Sequence, residues 1–256
     1  RIFVRSLATR GRKGELSVTV TDSAAGLDVF VAGGRPLDGP LRVTLAEVAQ
    51  AHALARLTWD DEVVAKLHPP IQRVGPAQVV PPPGAFLQAT RHGQNVLTDA
   101  VLQVIGDAAR VVDLFAGCGT FALPVAAGAE VHAVEGDRAM VDALDRAWRE
   151  TPNLKRVTSE ARDLFRRPLL PDELAAFDAA VIDPPRAGAA AQIAELAQAR
   201  VPVIAHVSCN PVTFARDAAT LGAAGYRLDF VQPVDQFRWS THVELVGAFR
   251  LSHITR

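Results

Sequence analysis

Cys209 sits in VSCNPVTFARD (207–217), between an apolar run and an Asn-Pro pair. The run VPVIAHVS (201–208) reads as a strand, so the thiol falls at a strand's carboxyl end. Asn210 suits an N-cap and Pro211 the first helical position. A thiol beside a helix N-terminus has its thiolate favoured, and cysteine is a strong nucleophile even when little of it is ionised. A lone cysteine is more commonly packed as a small hydrophobe, but position and cap together favour a nucleophile here. In HVE (242–244), an expected strand puts His242 and Glu244 on one face, with Val243 and Leu245 on the other. Glu244 then reads as a general base, worth about 10²–10⁴-fold in rate. The plain alternative is a solvent-facing edge strand.

Two further stretches suit a nucleobase. DPPRAG (183–188) follows the expected strand FDAAVID (177–183), so Asp183 also stands at a carboxyl end, where open α/β sheets bind ligands. Its carboxylate is placed to accept hydrogen bonds from a base, on a support that the two prolines stiffen. Amino-methylating enzymes favour an aromatic after Asp-Pro-Pro; Arg186 stands there, which argues against an exocyclic amine as target. A rigid loop with an N-capping carboxylate is the dull reading. In FLQATRHGQNVL (86–97), Phe86 and Gln88 alternate, and a glutamine amide reads a base edge by giving one hydrogen bond and accepting another.

DLFAGCGTFALP (113–124) runs from a strand into Gly117, Cys118 and Gly119 and then a helix. Glycines let backbone approach a ligand closely, and the helix amides face it. The third glycine of a dinucleotide fingerprint is missing. The next strand, EVHAVE (130–135), ends in Glu135, as expected of a carboxylate that grips ribose hydroxyls. With Asp113 before the turn and Glu135 after it, S-adenosylmethionine is favoured over NAD. The alternative is a tight strand–helix turn with a solvated Glu135. Cys118 reads as a small, unreactive residue of the turn. His206 lies in an apolar run and reads as a satisfied core histidine. His52, His68, His92, His132 and His253 show no metal-ligand spacing, so no metal is expected.

The elements that must position these residues follow from pattern. Of 256 residues 49% are hydrophobic and 21% charged, which suits a globular protein and excludes disorder. The net charge of -1 gives no global field for nucleic acid, so a nucleic-acid substrate would need a local patch, which neutrality does not exclude. Two cysteines make no disulfide framework, no apolar run spans a membrane and no signal pattern appears, which reads as a reducing, cytoplasmic setting. Strands at 15–20 and 27–34 form an expected hairpin, and 41–57 has helical spacing. The prolines of 62–84 suggest edge strands or a crossing, with a domain boundary near 84. The expectation is a small β-rich α+β domain over 1–84 and a catalytic domain over 85–256. In the second, strands at 110–115, 130–135, 154–159, 177–183 and 201–208 alternate with helices at 95–106, 120–128 and 137–150, which means a parallel sheet. YRLDFVQPV (226–234) and HVELVGAFRL (242–251) have no helix between them and read as an antiparallel pair closing it. This α/β plan resembles the class I methyltransferase fold, which is Rossmann-like, more than a dinucleotide dehydrogenase.

One reaction uses all these parts. Uracil C5 is a poor nucleophile. A thiolate adding to C6 turns the ring into an enolate, rich in electrons at C5, which takes a methyl group. A base then removes the C5 proton and the thiolate is expelled. Cys209, Glu244, Asp183 with Gln88, and the Gly117/Gly119/Glu135 turn supply what this needs.

FLQAT, DLFAGCGTFALP, VEGD, DPPRAG, SCNP and HVE occur in this order in RNA uracil-5 methyltransferases of the RumA/TrmA type, and the chain resembles that family over roughly residues 84–250. The resemblance implies Cys209 as nucleophile and Glu244 as proton acceptor. It implies that Gln88, Phe115, Thr120, Glu135, Asp163 and Asp183 line the cofactor and uridine site, with Asp163 toward adenine, and that residues 1–68 match the β-rich central domain. The substrate is then ribosomal or transfer RNA with a flipped-out uridine; no obligate protein partner or membrane is implied. Thr90 stands where the family often has Asn. Many members carry a four-cysteine iron–sulfur cluster and a small RNA-binding barrel. Two cysteines cannot hold that cluster, so a chain opening at Arg1 reads as either trimmed or minimal. Two rival readings stand beside this one. An RNA cytosine-5 enzyme usually adds a second cysteine next to the Asp-Pro position, which DPPRAG lacks. A non-catalytic RNA-binding or cofactor-sensing protein would be expected to have lost Cys209 or Glu244.

Overall fold

The computed structural model describes residues 16–237 and 239–252; Glu15 and His253 of the readings above lie outside them. The chain divides into two compact units, one comprising the residues up to Arg73 with Gln78–Ala85, the other Val74–Ala77 with Phe86 onward.

In the first unit β1 (Ser17–Ser23) and β2 (Gly26–Ala32) form the expected antiparallel hairpin. Gly26 is needed there: φ is +116°, and an added Cβ would meet the Ala53 carbonyl oxygen at 2.8 Å. Helix α1 (Gly39–Ala51), capped by Asp38, crosses over to β3 (Arg56–Trp59), parallel to β2, and β4 (Glu62–Lys66) pairs antiparallel to β3. The helical spacing over 41–57 therefore overran its helix, which ends at Ala51. All four residues of β3 are buried, Arg56 and Thr58 included, and the stretch read as helical ended at Leu57, so it took in only the first two of them. Val29, Val31, Leu41, Leu45, Leu57 and Trp59 fill the core. Arg56 and Asp28 form a buried two-point ion pair, at 2.8 and 2.6 Å, and Arg56 also donates to the Pro81 carbonyl. The proline-rich stretch then supplies two short paired strands, β5 (Gln72–Val74) and β6 (Ala77–Val79).

The second unit has the expected alternation. In chain order it runs α2 (Arg91–Ile105), β7 (Arg110–Leu114), α3 (Ala122–Val125), β8 (Glu130–Glu135), α4 (Arg138–Glu150), β9 (Val157–Ala161), α5 (Pro171–Leu174), β10 (Ala179–Ile182), α6 (Ala190–Ala199), β11 (Val203–Ser208), α7 (Pro211–Ala223), β12 (Tyr226–Val234) and β13 (Glu244–Leu251). The seven strands lie in the order β12-β13-β11-β10-β7-β8-β9. All neighbours are parallel except at β13, which runs antiparallel to both β11 and β12. Alternate residues serve opposite faces: Val111 joins the core under α2 and α4, Val112 and Leu114 the core under α6 and α7. Strand order reverses between β7 and β10, and in open α/β sheets a crevice opens outside the carboxyl ends at such a point.

Candidate active site

The cavity at that switch point is lined by the ends of β7, β8, β10, β11 and β13 and has a volume of about 580 Å³. It brings together eleven of the residues singled out in the sequence: Phe86, Gln88, Phe115, Gly117, Thr120, Glu135, Asp163, Asp183, Arg186, Cys209 and Glu244.

The glycine turn begins at Phe115, whose φ of +62° is rare for a bulky side chain and costs on the order of 1–3 kcal/mol. Its ring lies 5.3 Å from that of Phe165. Glu135 fixes the turn: one carboxylate oxygen accepts the Gly117 N–H and the other the Asp137 N–H, both at 2.9 Å. The solvated-glutamate alternative therefore does not hold. Asp163 accepts the backbone N–H groups of Phe165 and Arg166 with one oxygen.

Asn210 caps α7 by accepting the Val212 N–H at 3.0 Å, and its amide donates to the Arg186 carbonyl at 3.1 Å, tying the cysteine turn to DPPRAG. Ser208 Oγ accepts the Asn210 N–H and donates to the Asn210 carbonyl. The expectation of a favoured thiolate at Cys209 is corrected. Burial, then the Glu244 and Asp183 carboxyls, push the thiol above its ordinary value, and these outweigh the local backbone hydrogen bond and Arg186. Asp183 is itself pushed up to about 7, by burial first and then Glu244; burial also raises Glu244, which is only 3% exposed. Burial and mutual repulsion thus shift all three toward their neutral forms.

Three sequence-based site residues lie elsewhere. Strand β13 begins at Glu244, so His242 precedes it, exposed, with its ring 5.9 Å from Phe237; the shared face with Glu244 does not exist. Gly119 is not in the cavity wall, and an added Cβ would meet Leu123 and Leu144 at about 3 Å, so it serves packing. Asp113 is 1% exposed in β7, beneath the turn and absent from the lining. Both its oxygens lack a normal hydrogen bond, the Ala122 N–H being the one donor that favours the anion; burial, then Asp183, raises it well above the carboxylate range. His206 is half satisfied, with Nε2 3.3 Å from Asp217 and Nδ1 without a partner. The sequence reading missed Met140 and Phe165, which complete the apolar wall. The only signal for either was its nearness to an acidic residue already picked, two positions after Asp163 for Phe165 and five after Glu135 for Met140.

The residues present fit a cationic, adenine-bearing cofactor. The wall is mainly apolar, while Glu135, Asp163, Asp183 and Glu244 concentrate carboxyl groups in it. Beside Gly117 an added Cβ would meet no protein atom, so the backbone there is open to a ligand. No cluster that would hold a metal ion occurs among the described residues, and no helix among them is long and apolar enough to cross a membrane.

A seven-stranded sheet of this order, with its cleft at the ends of β7 and β10, is the class I methyltransferase fold. Residues 82–250 match the model of the tRNA (uracil-5-)-methyltransferase family, and the chain belongs to that family. An uncharacterised RNA methyltransferase of Rhizobium meliloti (strain 1021) is 52% identical over 90% of this chain and 55% of its own. The 23S rRNA (uracil(1939)-C(5))-methyltransferase RlmD of Halomonas elongata is 40% identical over 63% of this chain and 35% of its own. The chain thus spans about half the length of the first of these relatives. Among solved structures, Pyrococcus abyssi tRNA (uracil-54, C5)-methyltransferase, in complex with S-adenosyl-L-homocysteine, superposes with a TM-score of 0.68 at 22% identity, over 91% of this chain and 59% of that one.

Proposed function

We propose that this protein transfers a methyl group from S-adenosylmethionine to C5 of a uridine in ribosomal or transfer RNA, through a covalent bond between Cys209 and uracil C6. The observation that carries this reading is one cavity in which Cys209, Asp183 and Glu244, from three strand ends, meet the Gly117–Glu135 turn. Phe115, Met140 and Phe165 offer apolar surface for an adenine, and Glu135 and Asp163 offer acceptors for its ribose and base edge. When bound, the cofactor supplies an electrophilic methyl group.

The chain's own groups do the rest. Cys209 enters as a thiol, so its proton must leave as the sulfur adds to C6; the nearby carboxyls are the acceptors at hand. The C5=C6 electrons move to O4, and a protonated Asp183 is suited to donate a hydrogen bond there, which a carboxyl held near 7 does at neutral pH. Gln88 keeps its amide N–H₂ free for the ring edge, because its oxygen already accepts from Gln236 at 2.8 Å. C5 is then the nucleophile. Once it carries the methyl, Glu244 takes the C5 proton, the S–C6 bond breaks, and the C5=C6 bond returns. The cytosine-5 rival finds no support: the second cysteine, Cys118, is buried, outside the lining and pushed up to about 12.

Tritium release tests this. RNA lacking the modification, labelled at C5 of uridine, should lose one tritium for each methyl group gained. Methyl transfer without that release, or release from cytidine instead, would overturn it.

A further inference from the structure

The loop between β12 and β13 carries a tryptophan for which neither the fold nor the chemistry above has a use. Trp239 is 102% exposed, whereas Trp59 is 1% exposed in the core and Trp148 packs partly buried with its N–H on the Lys155 carbonyl. Its φ of +68° is an uncommon backbone state for an aromatic residue. Exposing a whole indole and holding it in that state both cost free energy, and no contact within the described residues offsets them.

The loop is tied to the cavity at both ends. Gln236 donates to Gln88, a cavity residue, at 2.8 Å and accepts the Thr90 N–H at 3.3 Å; an added Cβ on Gly93 would strike the Gln236 side chain at 2.3 Å. At the other end Glu244 lines the cavity itself. Trp239 lies three residues from the first anchor, so its backbone stands within roughly 11 Å of it. The cavity wall itself carries two exposed rings, Phe86 at 72% and Phe165 at 52%, and the exposed Arg186, which forms no ion pair among the described residues. Aromatic faces with a nearby guanidinium are the chemistry that binds unpaired RNA bases: each stacked base is worth several-fold to a hundredfold in affinity, with little regard to sequence.

We propose that Trp239 is a stacking platform for an unpaired base flanking the uridine that enters the cavity. The proposal rests on the uridine reading above and extends it to a neighbouring nucleotide. An aromatic plane beside the entrance holds the flanking strand while the target base leaves its stack, which favours single-stranded or loop RNA over a paired helix.

The test uses the protein's own fluorescence. The probe is an unstructured seven-nucleotide RNA with one central uridine. It should quench tryptophan emission and shield it from iodide, and both effects should vanish in Trp239→Phe. That variant should keep most of the affinity, whereas Trp239→Ala should lose about five- to a hundredfold. Both changes lie on the surface, so neither threatens folding. A parallel incubation with the 5-fluorouridine version of the oligonucleotide separates the two claims. If Cys209 is trapped while emission and iodide access stay unchanged, the platform is wrong and the uridine reading stands, and a protein partner becomes the better occupant of Trp239. If the RNA neither binds nor is trapped, the uridine reading falls and the platform falls with it.

Discussion

Cys118 and Cys209 look alike in sequence. Each follows a strand of the same sheet at its carboxyl end, and each precedes a helix. In the fold they diverge. Cys118 is 3% exposed and outside the cavity lining, and burial, then Glu135 and Asp137, pushes its thiol up to about 12. Cys209 is half-buried, lines the cavity and faces Asp183 and Glu244. Both thiols are raised, so ionisation at rest does not separate the nucleophile from the structural residue. Access does: of the two, Cys209 alone lines the cavity, with room for a ring beside it and with Asp183 and Glu244 on the same wall.

The widest separation should come from truncating each thiol. Cys209→Ala should lower methyl transfer about 10⁴-fold or more, because a nucleophile acts with its partners as a unit. Cys118→Ala should leave kcat within about twofold and show only as a modest loss in urea denaturation, the usual result of emptying a small buried volume. Comparable losses of activity in both variants would break the contrast. Glu244→Gln should come next, slowing turnover by about 10²–10⁴-fold. Because the C5 proton then has no acceptor, methylated RNA should accumulate bound to Cys209 and be visible on a denaturing gel; a slow enzyme without such an adduct would move the base elsewhere.

The smallest effect lies on the pH axis. Asp183 belongs to the Cys209 end of the comparison, and its folded value of about 7 stands above its ordinary 3.8. A raised carboxyl binds its proton more tightly in the folded state. Its contribution to stability is therefore complete below about pH 4 and is lost as pH rises through about 7. Urea denaturation should show stability falling across that window, and Asp183→Asn should flatten the fall. A profile identical in both proteins would contradict the assignment.

Much of this site was legible because its residues sit where strands stop. Gly117, Asp183 and Cys209 each follow an apolar run and a turn signal, and the alternation of strands with helices makes their carboxyl ends share an edge. What stayed hidden was fixed by distant chain. The length of β13 depends on its partners β11 and β12, so the alternation across HVE could not reveal that His242 falls outside the strand. Asp113 reads as a site residue beside a glycine turn; only the packing of the turn over it puts it beneath the wall. The same limit applied to 56–59, where Arg56 and Thr58 alternate with Leu57 and Trp59 over too short a run to stand out from the end of a helix, and pairing with β2 and β4 makes it a strand. The protonated state of Cys209 was out of reach as well. The local sequence contains the helix terminus that favours the thiolate, while Glu244, thirty-five positions further on, is among the groups that oppose it.

The central claim is a covalent bond between Cys209 and uracil C6, and trapping tests it most directly. The protein is incubated with S-adenosylmethionine and RNA bearing 5-fluorouridine, then denatured and analysed by mass. Fluorine at C5 cannot leave as a proton, so Glu244 has nothing to remove and the adduct persists. The expected result is a methylated RNA–protein adduct that maps to Cys209 and is absent in Cys209→Ala. Methyl transfer to ordinary uridine RNA with no adduct on the fluorinated RNA, or an adduct that survives in Cys209→Ala, would contradict the account.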